Sequence, residues 1–358
     1  MSEGLLEAGH TVDVFQPSVR HGRNQNTHRG IGKWRGYMDK YVYGPLELKR
    51  QLREARPELV HICDHANAVY LPYLNDVATV VTCHDMFAIK TWLGQIPGQQ
   101  KSKIGGLQQR WIFKHLQNAK AIACVSQATL DDLTQLAAQT REHAQVIPSA
   151  LPFRYAPLPR ADAEHFLKSA NLKTLAGNPL PDQFLLHVGN NSWYKNRDGV
   201  IEISIKILAK TPMLGLVLAG AALSDQQRLA LEGYENRVAL AVRPANETLQ
   251  ALYSKATLFL FPSLAEGLGW PPLEAQACGC AVAVSDIEPL RSNCSSALLI
   301  DPNDSDTAAQ QIIELLNDPQ RLSVLRADGL INAQRFQADA MIQAYIDFYR
   351  HAIAEHTA

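Results

Sequence analysis

No run of ~18 consecutive apolar residues occurs in this chain, so no segment reads as a membrane-spanning helix. Six cysteines (Cys63, Cys83, Cys124, Cys278, Cys280 and Cys294) fall without the paired spacing of a zinc site, and several lie in apolar runs. They read as buried thiols in a reducing compartment. Aspartate-rich metal motifs are absent, and no metal ligand set is expected. There is no low-complexity tract and no internal repeat shorter than a domain. Charged residues make up 19% and apolar residues 46%, a balance that argues against intrinsic disorder. The opening Met-Ser-Glu-Gly-Leu-Leu-Glu-Ala-Gly-His is acidic and amphipathic, unlike a secretory signal, so a cytoplasmic protein is expected.

What is present is an alternation. Short apolar runs at Val12–Phe15, Leu59–Ile62, Thr79–Cys83, Ile122–Val125 and Gln145–Ile147 are separated by amphipathic stretches near 45–56, 104–119 and 128–138. A second series follows at Phe184–Val188, Leu214–Ala219, Val238–Val242, Thr257–Phe261, Ala281–Val284 and Ala297–Ile300. Apolar strands alternating with helices predict βαβ units and parallel sheets, and two series predict two Rossmann-like domains. At 358 residues the chain exceeds one comfortable core. Prolines 148, 152, 157, 159, 179 and 181 mark the connection. The expected division is an N-terminal domain over 1–150, a linker over 151–183, a C-terminal domain over 184–335, and a helix over 336–358 packing back toward the N-terminal domain. Apolar residues at 3–4 spacing (Met341, Ile342, Tyr345, Ile346, Phe348, Tyr349) mark that last helix.

Charge is unevenly spread. The net charge is −1, but residues 1–150 hold 17 basic and 13 acidic side chains. Residues 90–120 carry six basic and no acidic ones. A positive face on one domain suits an anionic membrane surface or a phosphate-bearing acceptor, and is equally consistent with a solvated surface.

Three segments carry chemistry. Glu266-Gly267-Leu268-Gly269-Trp270-Pro271-Pro272-Leu273-Glu274 follows the strand Thr257–Phe261 and precedes a helix. Glycines allow close backbone approach, and a helix start offers N–H groups to an anion. The expected anion is the pyrophosphate of a nucleotide sugar. Glu274, expected in the first helical turn, would reach past the phosphate to a ribose diol, and Glu266 would accept from sugar hydroxyls. Read alone, Glu274 is also consistent with a helix-end charge and Glu266 with a surface position. The second segment, His187-Val188-Gly189-Asn190-Asn191-Ser192-Trp193-Tyr194-Lys195-Asn196, repeats strand, glycine and loop. Lys195 there can set its charge against a departing phosphate, or simply be a solvated lysine. Arg243, after Val238–Val242, is a weaker candidate for the same edge. The third segment is Thr82-Cys83-His84-Asp85, with Asp64 and His65 ending the preceding strand in the same way. A structural hydrogen-bonded pair remains the alternative for His84 and Asp85.

Residues 181–302 resemble the donor domain of glycosyltransferase family 4, retaining enzymes with the two-Rossmann GT-B fold. The Val-Gly-x-x-x-x-x-Lys-Asn run is similar to its phosphate loop. Phe261-Pro-Ser-Leu-Ala-Glu266 through Glu274-Ala-Gln-Ala-Cys-Gly-Cys-Ala-Val282 resembles its E-x7-E signature. Ala8-Gly9-His10-Thr11-Val12, Val60-His61, Thr82–Asp85 and Val125–Thr129 look like its acceptor domain. The resemblance implies an α/β protein of two Rossmann-like domains facing each other across a cleft. The first strand of the N-terminal domain and its glycine loop are expected to be missing. It implies that Glu266 binds the donor sugar with the Gly267 and Leu268 amides, that Asn190, Gly269 and Arg243 lie on the donor side, that Glu274 binds ribose, and that Lys195 binds pyrophosphate. His84 would stand beside the reaction centre, and Asp85, Asp64 and His65 on the acceptor side. Transfer would go from a nucleotide-diphosphate sugar to a glycan or lipid-linked acceptor with retention of configuration, without a cofactor or metal. Peripheral contact with an anionic membrane is a further expectation; a nucleic-acid partner is not. Tyr194 and Asn190 stand where the family usually carries arginine. Two other readings remain open, a sugar-nucleotide epimerase or hydrolase of similar architecture and a non-catalytic nucleotide-sugar-binding protein.

Overall fold

The computed structural model describes residues 1–19, 36–96, 98–99 and 103–357. The chain divides into two compact units, Met1–Ile147 with Met341–Ala358, and Pro148–Ala340.

In the first unit the described strands are β1 (Leu59–Ile62), β2 (Ala78–Cys83), β3 (Ile122–Cys124) and β4 (Ala144–Val146), all parallel and in the order β1-β2-β3-β4. Their side chains are apolar on both faces because helical segments cover both, as parallel sheets require. One face packs Val81, Cys83, Ile122 and Cys124 against Ile89, Ile112, Leu116 and Leu133. The other packs Val80, Ala121, Ala123 and Ile147 against Tyr345, Phe348 and Ala352 of the helix Ala338–Thr357. Those three residues recur at helical spacing, which gives the helix one apolar stripe.

The expected strand Val12–Phe15 does not form. A strand exists only as a ladder with a neighbour, and no described strand pairs with this segment. Val12 instead packs near Leu5, Ile342 and Ile346.

In the second unit β5 (Gln183–Gly189), β6 (Leu214–Gly220), β7 (Val238–Val242), β8 (Leu258–Phe261), β9 (Val282–Ser285) and β10 (Leu298–Ile300) form one parallel sheet. Its order is β10-β9-β8-β5-β6-β7, a doubly wound arrangement. The order reverses direction between β5 and β8, so the loops leaving these two strands diverge at one sheet edge. Leu185, Leu216 and Leu258 of the sheet share a core with Val200, Ile203 and Ile207 of the helix Arg197–Lys210 and with Ile312 of the helix Ser305–Leu316. The expectation of two parallel-sheet, Rossmann-like domains is met in both units.

A polar chain ties the last helix into the first unit's core. His61 Nδ1 lies 2.7 Å from the Tyr349 hydroxyl, His61 Nε2 lies 2.7 Å from Thr82 Oγ1, and Thr82 Oγ1 lies 2.7 Å from the Tyr345 hydroxyl. Burial pushes the His61 pKa down to about 4, with the nearby His84 adding to the shift. A base whose folded pKa lies below its unfolded value near 6.5 takes up protons preferentially in the unfolded chain. Its contribution is therefore complete above pH ~6.5 and lost as pH falls toward 4. Denaturant unfolding of the first unit should show wild type losing on the order of 2 kcal/mol more than His61→Gln between pH 7 and pH 4. Parallel pH profiles for the two proteins would contradict this.

Candidate functional site

The segment after β8 turns into the helix Trp270–Ala277 through Gly269, whose φ of 89° places it in the left-handed region. A Cβ there would also meet Leu290 Cδ2 at 2.5 Å. The helix starts at Trp270, so Pro271 is its second residue and lacks only a donor that has no intrahelical partner. Glu274 is consequently the fifth helical residue, just past the first turn in which it is expected. Asn293 Nδ2 donates to the Leu268 carbonyl at 2.8 Å and holds the turn from beneath.

The segment after β5 passes through Asn190, whose Oδ1 accepts from Ser192 N at 2.9 Å, and a short turn, Trp193–Lys195. Leu264 N donates to the Tyr194 carbonyl at 2.7 Å. Asn196 Nδ2 donates to the Pro262 carbonyl at 2.9 Å and to the Pro302 carbonyl at 3.3 Å. The loops after β5, β8 and β10 are thus stitched into one surface.

On that surface Lys195 Nζ lies 2.8 Å from Glu266 Oε1, with side-chain exposures of 13% and 6%. The ammonium also sits 4.8 Å from the centroid of the Phe261 ring and 5.2 Å from that of Tyr194. Glu274 is buried and accepts from the Tyr253 hydroxyl at 2.8 Å. Burial raises its pKa to about 7, against the opposing effects of the Tyr253 hydrogen bond and the Lys195 charge. Lys195 and Glu266, 71 positions apart in sequence, are therefore paired, and the Lys195 charge also reaches Glu274. Gly267 directly follows Glu266 in the turn that leads to the helix. Arg243 directly follows β7, outermost in the sheet, with its own backbone in the left-handed region. Its N–H donates to the Gly220 carbonyl and its side chain is exposed.

In the first unit, His84, Asp85, Asp64 and His65 gather at the carboxyl ends of β1 and β2. His84 Nε2 lies 2.8 Å from the Cys63 carbonyl. A carbonyl only accepts, so Nε2 carries the proton and Nδ1 of the neutral ring is an acceptor. Asp85 Oδ1 accepts from Phe87 N and Asp64 Oδ1 from Ala66 N, so both carboxylates also hold turns. His65 is 7% exposed; its Nδ1 stands 3.6 Å from Asp64 Oδ1 and has no hydrogen-bond partner. Burial lowers its pKa, against the pull of Asp85 and Asp64.

Tyr253 and Asn196 were not singled out by the sequence. Tyr253 occupies an ordinary apolar position of the helix Asn246–Lys255, and nothing in its neighbours signals a carboxylate partner. Asn196 directly follows Lys195 in a left-handed conformation (φ 49°), which asparagine tolerates better than most residues.

Two family profiles match the chain. One, described as glycosyl transferases group 1, covers residues 172–329, and one, described as glycosyltransferase family 4, covers residues 1–152. Among curated relatives, the O-antigen chain mannosyltransferase B of Escherichia coli is 35% identical over 106 residues, 29% of this chain and 28% of that protein. The D-inositol 3-phosphate glycosyltransferase of Thermobispora bispora is 31% identical over 214 residues, 56% of this chain and 48% of that protein. The chain thus spans half or less of the length of these relatives. Among solved structures, the sucrose-phosphate synthase of Thermosynechococcus elongatus has a TM-score of 0.76 at 20% identity, covering 99% of this chain and 92% of that one. Anabaena HepE in complex with UDP and glucose has a TM-score of 0.71 at 18% identity, covering 88% and 83%. These likenesses show the fold.

The raised pKa of Glu274 gives a test that needs no ligand. A carboxyl group whose folded pKa exceeds its unfolded value favours folding only while protonated. Its ionisation costs stability as pH rises from ~4.5 through 7. Glu274→Gln keeps an acceptor for Tyr253 and removes the charge. It should stabilise the second unit by on the order of 2 kcal/mol at pH 8 and by little at pH 4.5. Thermal unfolding at the two pH values checks this; an equal effect at both would contradict it.

Proposed function

Because the chain belongs to glycosyltransferase family 4, we propose that it transfers a sugar from a nucleotide-diphosphate donor to a glycan or lipid-linked acceptor with retention of configuration. The observation that carries this reading is the joining of Lys195, Glu266 and Glu274 where the strand order reverses, the crevice in which doubly wound sheets bind nucleotides. Glu274 would take the ribose hydroxyls, both of which donate to a carboxylate. Bound donors would also favour its ionised form. Lys195 would turn its charge to the diphosphate and stabilise it as the bond to the sugar breaks. That turn would release Glu266 from its ion pair and free it to accept from sugar hydroxyls. The acceptor hydroxyl would attack from the face of the departing phosphate, which would receive its proton.

In the first unit, His84 presents an acceptor nitrogen, which suits a sugar hydroxyl. Asp85, Asp64 and His65 are proposed for the acceptor side on their common sheet edge. A cytoplasmic enzyme with peripheral contact to an anionic bilayer is supported by the helix Gly44–Ala55, where Lys49, Arg50 and Arg53 are exposed beside Leu46. Among the described residues no helix is long and apolar enough to cross a membrane.

The test is a thermal-shift screen of UDP-, GDP- and ADP-sugars, followed by turnover assays with and without glycan and lipid-linked acceptors. One base series should stabilise the protein, and the donor should be consumed only with an acceptor. Glu274→Ala should weaken nucleotide binding by on the order of 2–4 kcal/mol, since two charge-assisted hydrogen bonds are lost. Donor consumption without acceptor would instead support an epimerase or hydrolase. Binding without turnover over the panel would support a non-catalytic binding protein.

A further inference from the structure

Directly after Asn196 comes Arg197, the first residue of the helix Arg197–Lys210. Its side chain is folded inward and only 3% of the residue is exposed. Nη1 donates to the Gly189 carbonyl at 3.1 Å, at the end of β5. Nε and Nη2 are buried and have no hydrogen-bond partner among the described residues. A guanidinium stays protonated in proteins and offers five donors, so most of its capacity here is unspent. An unpaired buried cation is costly, and proteins keep such groups paired with an anion.

Of the neighbouring charges, the Asp198 carboxylate favours the charged guanidinium without taking up Nε or Nη2. Asp198 is next in sequence, and its Oδ1 accepts from Gln227 Nε2 at 2.8 Å. Glu266 is paired with Lys195. His187, against whose Nε2 a Cβ at Gly189 would lie at 2.8 Å, is held neutral: burial drives its pKa to about 3, and the charges of Arg197 and Lys195 add to the shift. Its Nδ1 faces the Leu260 carbonyl at 3.0 Å and therefore carries the ring's proton. Other buried or half-buried arginines of this unit are committed to protein oxygens. Arg237 Nη1 donates to the Leu208 and Thr211 carbonyls, and Arg326 Nη2 to that of Thr257. The loop that opens at Gly189 therefore rests on a buried guanidinium that feels the Asp198 carboxylate yet keeps Nε and Nη2 without a hydrogen-bond partner among the described residues.

We infer that Arg197 is a positioning residue for the donor's diphosphate: it clamps the Gly189 carbonyl and holds a buried guanidinium, with Nε and Nη2 unspent, beneath the loop Gly189–Asn191, where its charge favours the bound diphosphate. The inference rests on the nucleotide-sugar reading and names the source of countercharge within it. In a low-dielectric interior such a charge acts over several ångströms without direct contact. It also accounts for a loop with Asn190 and Tyr194 at positions where the resembled family carries arginine.

Calorimetric titration of the intact protein with a nucleoside diphosphate, the matching monophosphate and the free nucleoside tests this. The base is the one that wild type binds. Arg197→Met, close in length but uncharged, should lose at least tenfold in affinity for the diphosphate, less for the monophosphate, and nothing for the nucleoside. Arg197→Lys should recover part of the diphosphate affinity, and serves as the probe should Arg197→Met fold poorly: it must then stay closer to wild type on the nucleoside than on the diphosphate. Equal losses on all three ligands would show a merely structural role and overturn the inference. Unchanged diphosphate affinity in Arg197→Met, with wild type binding normally, would overturn it alone. Failure of wild type to bind any nucleoside diphosphate would overturn the donor reading and this inference together.

Discussion

The pairing of β5 with β8 is the constraint from which the candidate donor site follows. These strands are separated by two others in sequence and lie side by side in the sheet, Leu185 opposite Leu258 and Leu186 opposite Phe259. Parallel alignment sends both chains out at the same edge, and the reversal of strand order keeps their helices apart. The 2.8 Å contact of Lys195 with Glu266 is a consequence of that placement. On its other side β5 runs tightly along β6. A Cβ on Gly220 would lie 2.2 Å from the Gly189 carbonyl oxygen, so only glycine permits the register that carries β5 out into its loop.

The site is built from charges that folding alone would not favour. Glu274 is buried deeply enough to hold its pKa near neutrality, and a tyrosine hydroxyl donates to it. Arg197 is covered yet mostly unpartnered. A stable fold needs neither, and sites that violate ordinary burial rules tend to be functional. The common explanation is a polyanionic, hydroxyl-bearing ligand. Its diol suits the carboxylate and its phosphates suit the cations, so one molecule relieves both strains. On the proposed reading, the ion pair of Lys195 and Glu266 would act as a reserve of two opposite charges, held together until the ligand separated their tasks.

Much of this was legible in the sequence. Strands β5 to β10 stand out because parallel strands buried on both faces are continuous apolar runs, and the reading placed each within a residue or two of its end. Glu266 and Glu274 could be singled out because a glycine turn and prolines fix a helix start between them. Val12–Phe15 shows the limit: an apolar run of strand character remains a coil where no ladder partner lies beside it. The segment His65–Tyr73 is another, since a 3₁₀ helix with Pro72 inside has no apolar period of its own. Partner choice is the least legible level. Nothing local to Tyr253 announces Glu274, and an arginine after an asparagine reads as solvated until its burial is seen.

Hydrogen–deuterium exchange with and without the preferred nucleoside diphosphate bears most directly on the claim that the two loops at the β5–β8 reversal form one donor site. Slowed exchange in both 189–197 and 263–276, with little change along β9 and β10, is the predicted result. Protection of only one of these loops, or protection elsewhere in the second unit with both left unchanged, would contradict it.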